Sequence, residues 1–251
     1  MPKVHWSNGR LAEGFLAKWH CRLEWWIGSI GGMAINQGKG VAKHACARAS
    51  CDVLPIDNFR AAADYVVALT ECVPQGKWDE PALGSWTVRS LVGHISRAMT
   101  TVVDYLARST TEHAVCSAAD YYLLVADQID PHSIQVRGVQ AGAELGDDPL
   151  TSLTAIRDRA VSALSGVEDR LIPTAVGGML LSDYLPTRTF ELAVHGLDLA
   201  RATGQCESLP AEVTTEVLTL AATLAMRRGH GELVLLALTG RCSLPGGFTV
   251  V

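Results

Sequence analysis

No stretch of this chain is long and apolar enough to cross a bilayer. The most hydrophobic run near the N-terminus, Trp25 to Ile35, is about half of the roughly 20 residues a spanning helix needs, and Gly28, Gly31 and Gly32 interrupt it. It is not a secretory signal either. Glu13 and Glu24 precede it, and Gln37 and Lys39 follow it without a small-residue cleavage box. The chain also lacks any C-x-x-C spacing among its seven cysteines, so neither a zinc ribbon nor a thioredoxin-like motif is supported. An odd, scattered set of that kind suits unpaired thiols in a reducing cytoplasm, with Cys46 and Cys51 a less favoured redox pair. Charged residues are scarce, at 19% of the 251 residues, and argue against a largely disordered chain. There is no Lys/Arg run. Residues 1–50 hold seven Lys/Arg against two acids, a balance of +5; the whole chain is at −5, so the remainder carries −10. An acidic body excludes the concentrated basic footprint of a nucleic-acid groove. No Ser or Cys stands in a nucleophile-elbow or Cys–His context, which leaves covalent catalysis by the protein unsupported.

What is present is apolar and helical. Hydrophobic residues make up 48% of the chain, enough to bury a core without disulfide staples. Residues 1–52 stand apart, holding four of the six Trp (Trp6, Trp19, Trp25, Trp26) mixed with Gly and without periodicity. They read as a poorly ordered extension, or as an over-called start whose native counterpart is Met33. From Phe59 to Cys72 the apolar positions fall on one broad helical face. A Pro/Gly loop follows. Thr87 then fits an N-cap for a helix over Val88–Arg108, with Leu91, Ile95, Ala98, Val102 and Leu106 inward. A third helical stretch is expected near 114–129, broken at Pro131. A fourth begins at Asp148-Pro149 and runs to about Arg170. Gly177-Gly178 reads as a turn. Next comes a helix from Ser182–Asp183 to Ala202, with Pro186 in its first turn and Gly204 as its C-cap. Two more helices are predicted over 211–227 and 231–238. No period-2 pattern persists beyond five residues, and no repeat is visible. The fold class expected is all-α: an up-down four-helix bundle over 53–204, with a short helical appendage and tail over 205–251.

Chemistry concentrates at Arg188-Thr189-Phe190-Glu191-Leu192-Ala193-Val194-His195. Glu191 and His195 are four apart and share a helix face, on or beside the stripe formed by Leu181, Tyr184, Leu185, Leu192 and Leu199. A carboxylate aimed into a core is costly unless it is paired or bound to a metal. His94, three residues after Leu91 and beside Gly93, is inward on another helix. Gly93 removes a side chain and would admit a close neighbour. Two ligands from one helix and one from another is how bundles build metal sites. Two imidazoles and a carboxylate suit zinc first among divalent ions, with a position left open. From spacing alone, a buried Glu191–His195 hydrogen bond is the simpler reading of the pair.

Trp86-Thr87-Val88-Arg89-Ser90-Leu91-Val92-Gly93-His94 resembles the W-T-V-R-D-L-V-x-H signature of the DinB-like superfamily. More closely, the chain resembles the actinobacterial mycothiol-dependent maleylpyruvate isomerase family. The run from Asp183-Tyr184-Leu185 through Arg188, Glu191, His195-Gly196 and Asp198-Leu199-Ala200 is similar to that family's metal-binding helix. Leu238-Thr239-Gly240-Arg241 with Leu244-Pro245 is similar to its C-terminal tails. The resemblance covers about 55–251. It implies a DinB-like four-helix bundle, with His94, Glu191 and His195 as metal ligands and mycothiol as cosubstrate. Ser90 stands where an acid is usual, which weakens a capping box without touching the ligands. Little chain follows Gly204 for the larger C-terminal domain of the namesake isomerase, so the expected substrate is a small electrophile rather than maleylpyruvate specifically.

The implied chemistry is attack by a metal-activated thiolate, as an isomerase or an S-transferase. Arg188 would neutralise a substrate carboxylate, unless it pairs with an acid such as Asp183. Arg241 is a second anion-binding candidate, unless it is simply a surface residue. Asp198 would orient an imidazole, unless it pairs with Arg201. His113, His132 and His230 carry no assigned role. The rival classes are a bundle that binds metal or ligand without turnover, and a purely structural bundle. Nothing in the sequence addresses oligomeric state.

Overall fold

A computed structural model describes residues 54–251, and the readings made for residues 1–52, with Met33, Cys46 and Cys51 among them, lie outside the described residues. Four helices form a closed ring of neighbours: α1 (Ile56–Glu71), α2 (Val88–Leu106), α5 (Pro149–Ala163) and α6 (Leu181–Thr203). Helix α6 packs on α1 and α2, and both of those pack on α5. Phe59, Val66, Leu91, Ile95, Met99, Leu153, Tyr184, Leu185 and Leu192 fill the centre, each 0–1% exposed. The inward stripes read for α2 and α6 are therefore core, apart from Leu106, which is half-buried. The chain is all-α, as expected.

Local chemistry explains the ends. Thr87 caps α2, its Oγ1 accepting from Ser90 N at 3.3 Å, and the Ser90 hydroxyl lies 3.2 Å from the same oxygen. An acid here would reach back to the Thr87 backbone N–H; the Ser90 hydroxyl meets the Thr87 side chain instead. Helix α6 ends at Gly204 with φ 75°, a left-handed backbone that glycine adopts without a Cβ penalty. Its first turn is capped from a distance, because Asp169 accepts from Ser182 N at 2.9 Å and from Ser182 Oγ at 2.6 Å. Pro186 belongs to the second turn rather than the first, since the helix begins at Leu181.

Several expectations need correcting. Pro131 does not merely break a helix. It opens one, α4 (Pro131–Glu144), with Asp130 capping His132 N at 3.0 Å. The stretch before it shrinks to α3 (Ala118–Gln128), with Ser117 as its cap. Helix α5 stops at Ala163 rather than near Arg170, because Leu171–Thr174 (β3) pairs antiparallel with Gly177–Leu180 (β4). Gly177 and Gly178 therefore lie in a strand, just past the turn. A second hairpin, Pro81–Leu83 (β1) with Trp86–Thr87 (β2), occupies the Pro/Gly loop after a 3-10 turn at Gln75–Lys77.

Helix α4 lies along α2, and glycine permits it. A Cβ on Gly93 would come within 2.1 Å of the Gly142 backbone nitrogen, and one on Gly142 within 2.7 Å of the Arg89 carbonyl oxygen. The close approach expected at Gly93 is thus made by α4. Beyond Gly204, α7 (Ala211–Arg227) packs on α6, α1 and α3, burying Val213 and Leu224, and α8 (Gly231–Leu238) packs on α7. No helix among the described residues is long and apolar enough to cross a membrane. Cys72, Cys206 and Cys242 are exposed free thiols, while Cys116 is disulfide-bonded, against the expectation of unpaired cysteines throughout.

Candidate metal centre

The α2–α6 contact brings three remote side chains to one point. His94 comes from the second turn of α2, and Glu191 and His195 from successive turns of α6. One ligand-type atom from each lies within 4.8 Å of the other two. Glu191 Oε2 is 3.5 Å from His94 Nε2 and 3.5 Å from His195 Nε2. Those distances bear on both readings of the pair. A good N–H···O hydrogen bond spans about 2.7–3.2 Å, so both contacts are long for hydrogen bonds. Around a tetrahedral ion with bonds of about 2.1 Å, ligand atoms stand about 3.4 Å apart. The donor set suits a divalent ion such as zinc, and the two 3.5 Å separations lie near that value, while the three atoms together lie within 4.8 Å of one another.

Each ligand is held in a particular way. Asp198 Oδ2 is 3.0 Å from His195 Nδ1, which reserves Nε2 for the common point. Arg201 pairs instead with Glu207 at 2.8 Å, so the alternative Asp198–Arg201 pairing is not formed. Tyr122, on α3, places its hydroxyl 2.8 Å from Glu191 Oε1 and 3.0 Å from the Thr187 carbonyl oxygen, two acceptors for its one proton. That contact occupies Oε1 and leaves Oε2 toward the histidines. His94 Nε2 faces Glu191, and the Trp86 indole lies against the His94 ring with centroids 4.6 Å apart.

Burial alone would raise the Glu191 carboxyl, but the facing His195 and His94 rings and the charge of Arg188 outweigh it and hold it well below the usual range. Burial also opposes charge on His195, yet Asp198 and Glu191 push its pKa up to about 9. His94 goes the other way: its burial lowers the pKa more than Glu191 raises it. Tyr122 is driven well above its ordinary value by burial and then by Glu191, so it stays a proton donor. Without metal, the resulting state at neutral pH is a carboxylate, one imidazolium and one neutral imidazole.

Beside the cluster is a cavity of about 120 Å³, lined by His94, Glu191 and several tyrosines. Arg188 also lines it and is only 8% exposed. Its guanidinium lies over the rings of Tyr184 and Tyr121, 4.8 Å and 5.3 Å from their centroids, and Nε donates to Thr187 Oγ1 at 2.9 Å. Burial works against that charge, but Tyr184, Tyr121 and Glu191 more than offset it, and the pKa rises. Arg97 of α2 and Arg137 of α4 line the same cavity, and sequence reasoning did not find them. Among the described residues, none of these three arginines makes an ion pair with a carboxylate. Arg241 is not brought to this place. It is exposed beyond α8, with Nη1 donating to the Thr239 carbonyl oxygen at 2.6 Å, and it does not line the cavity.

A family model described as mycothiol maleylpyruvate isomerase N-terminal domain covers residues 59–200, the span from α1 through α6 that builds the cluster. No curated protein and no solved structure matches the chain.

Proposed function

Because the chain belongs to the mycothiol maleylpyruvate isomerase N-terminal domain family, we propose that it is a mycothiol-dependent metalloenzyme acting on a small, anionic electrophile. The observation that carries the reading is the pair of 3.5 Å separations from Glu191 Oε2 to the two imidazole Nε2 atoms. His94, Glu191 and His195 would hold the ion, with zinc the first choice for two nitrogens and one carboxylate oxygen. Three protein ligands leave a coordination position open, and a divalent ion there lowers the pKa of a thiol that reaches it.

The chain's own residues do the rest. Asp198 and Tyr122 orient His195 and Glu191. Arg188, with Arg97 and Arg137, supplies positive charge without paired acids on the cavity wall, which favours a carboxylate-bearing substrate. A cavity of about 120 Å³ is well below the roughly 300–1,000 Å³ of drug-sized ligand sites. It takes the reacting ends of thiol and substrate, while the sugar portion of mycothiol lies outside. In the isomerase form the thiolate adds to an activated C=C bond, rotation follows, and elimination returns the thiol. In the transferase form it displaces a leaving group and the C–S bond stays. A reducing cytoplasm is the compartment that keeps such a thiol available.

The test is a turnover assay on small carboxylate-bearing electrophiles, with and without mycothiol, in zinc-loaded protein. The reading requires a rate that depends on the thiol and is lost in His94→Ala. Metal-loaded protein that neither binds nor consumes mycothiol overturns the enzyme reading and leaves a binding module.

A further inference from the structure

The two histidines of the cluster are held by different forces. His195 has the carboxylate of Asp198 on its Nδ1 at 3.0 Å, the arrangement that usually fixes tautomer and ring plane in a metal-ligating histidine. His94 has no counterpart. Its Nδ1 is buried and makes no hydrogen bond among the described residues. Hydrogen bonding therefore does not set the rotation of this ring about its Cβ–Cγ bond, although that rotation decides whether Nε2 points at Glu191.

Aromatic packing does the holding instead. The Trp86 indole lies over the His94 ring with centroids 4.6 Å apart and planes tilted by 30°. The His195 ring meets it edge-on at 4.8 Å and 87°. An indole is useful here only if it is itself immobile, and it is fastened at two places. Its Nε1 donates to the Gln135 carbonyl oxygen of α4 at 3.1 Å. Its six-membered ring rests on Gly138 so closely that a Cβ there would stand 2.8 Å from Cζ2. In chain order Trp86 immediately precedes Thr87, the N-cap of the helix that carries His94. Helix α4 thus presses a fixed flat surface onto the one ligand that has no hydrogen-bonded partner.

We propose that Trp86 is the positioning residue for His94, its indole taking the part for this ring that Asp198 takes for His195. The proposal rests on the metal-centre reading. It implies that one imidazole is oriented by charge and the other by ring stacking, so that the two answer differently to substitution.

The experiment is cobalt(II) binding to the full chain, with affinity from chelator competition, geometry from the visible d–d bands, and fold from circular dichroism. Trp86→Phe keeps a flat ring and loses the Nε1 contact; Trp86→Leu keeps apolar bulk and loses the stack. The expected result is that Trp86→Phe binds within about threefold of the unmodified chain. Trp86→Leu should bind about 10–100-fold more weakly, the range typical of lost ligand-orienting contacts, with altered bands. If Trp86→Leu does not fold, Gly138→Ala decides, because it pushes the indole from behind without touching His94; weaker binding with shifted bands is expected. Unchanged affinity and bands in folded Trp86→Leu, or in Gly138→Ala when Trp86→Leu is unfolded, overturn the proposal. Equal losses in Phe and Leu overturn it too, since stacking would then not be the cause. No cobalt binding by the unmodified chain overturns the metal reading itself, a result distinct from the other two.

Discussion

Asp198 reaches across one helical turn to place Oδ2 3.0 Å from His195 Nδ1, and the opposite nitrogen, Nε2, is the one that faces Glu191. An amide at position 198 would keep the shape and lose the charge that favours this ring orientation. Asp198→Asn is expected to weaken zinc binding by about 10–100-fold, the usual cost of losing a carboxylate behind a ligating histidine. Chelator competition measures it; unchanged affinity would show that Asp198 does not orient the ligand.

Metal uptake should depend on pH with a definite sign. Asp198 and Glu191, overcoming burial, raise His195 to about 9, and a metal ligand must be the neutral imidazole. Glu191 is already ionised and His94 is shifted downward, so binding near pH 7–9 releases about one proton. Affinity should climb about tenfold per pH unit over that interval and level off above about 9. The metal-free fold behaves oppositely. A histidine pKa raised on folding adds stability that is complete below its unfolded value near 6.5 and is lost as the pH rises through about 9. Calorimetric proton counting in two buffers tests the first statement, and denaturation of metal-free protein at pH 6 and 9 tests the second.

Tyr122→Phe removes the donor that occupies Glu191 Oε1. Losing a buried hydrogen bond to a charged acceptor costs about 1.5–3 kcal/mol, so the metal-free variant should unfold at lower denaturant by that amount. A loss under about 0.5 kcal/mol, the scale of an ordinary surface change, would show that water replaces the hydroxyl without penalty.

Gly93→Ala tests the helix contact that seats His94. The added Cβ would lie 2.1 Å from Gly142 N, and backbone is the wrong kind of neighbour to yield. Overpacking typically costs about 1–3 kcal/mol, occasionally more. The loss should appear in thermal or denaturant unfolding. A neutral result would mean that α4 does not lie against α2 in solution.

The Arg188 guanidinium lies over the Tyr184 and Tyr121 rings, 4.8 and 5.3 Å from their centroids, and a planar guanidinium can stack on an aromatic ring as an ammonium cannot. Arg188→Lys should therefore fail to restore what Arg188→Gln loses. Both should raise KM for a carboxylate-bearing electrophile by about tenfold or more, the range of one charge-assisted hydrogen bond, and spare a neutral one. Steady-state kinetics on a matched substrate pair reads the difference.

How much of this was visible in the sequence depends on the kind of signal each element carries. Helices with a broad apolar face show themselves: the predicted ranges for α7 and α8 agree with the structure, and α1, α2 and α6 agree to within two or three residues. Helix α4 was missed because it buries Gly138, Ala141 and Gly142 and no large apolar residue, so it has no hydrophobic stripe to detect. Its start was nonetheless spelled out, since Asp130-Pro131 is the same cap-and-proline pair that Asp148-Pro149 presents. The hairpins have strands of two to four residues, too short for a period-2 pattern.

The cluster divides along similar lines. Glu191 and His195 share one helix face, and His94 sits on an inward stripe, so spacing and position pointed at all three. Nothing near Tyr122, Arg97 or Arg137 distinguishes them. Tyr122 acquires its part only when α3 folds onto α6, and Arg137 only when α4 lies along α2. Trp86 was conspicuous within its motif, but its partner ring is eight positions away and meets it only through the turn into α2.

The most direct measurement is metal stoichiometry on purified full-length chain loaded with zinc and freed of excess, by elemental analysis, beside folded Glu191→Ala and His195→Ala variants. The account predicts one ion per chain in the unmodified protein and little or none in either variant. Less than a tenth of an ion in the unmodified chain, or full occupancy that survives both substitutions, would contradict it.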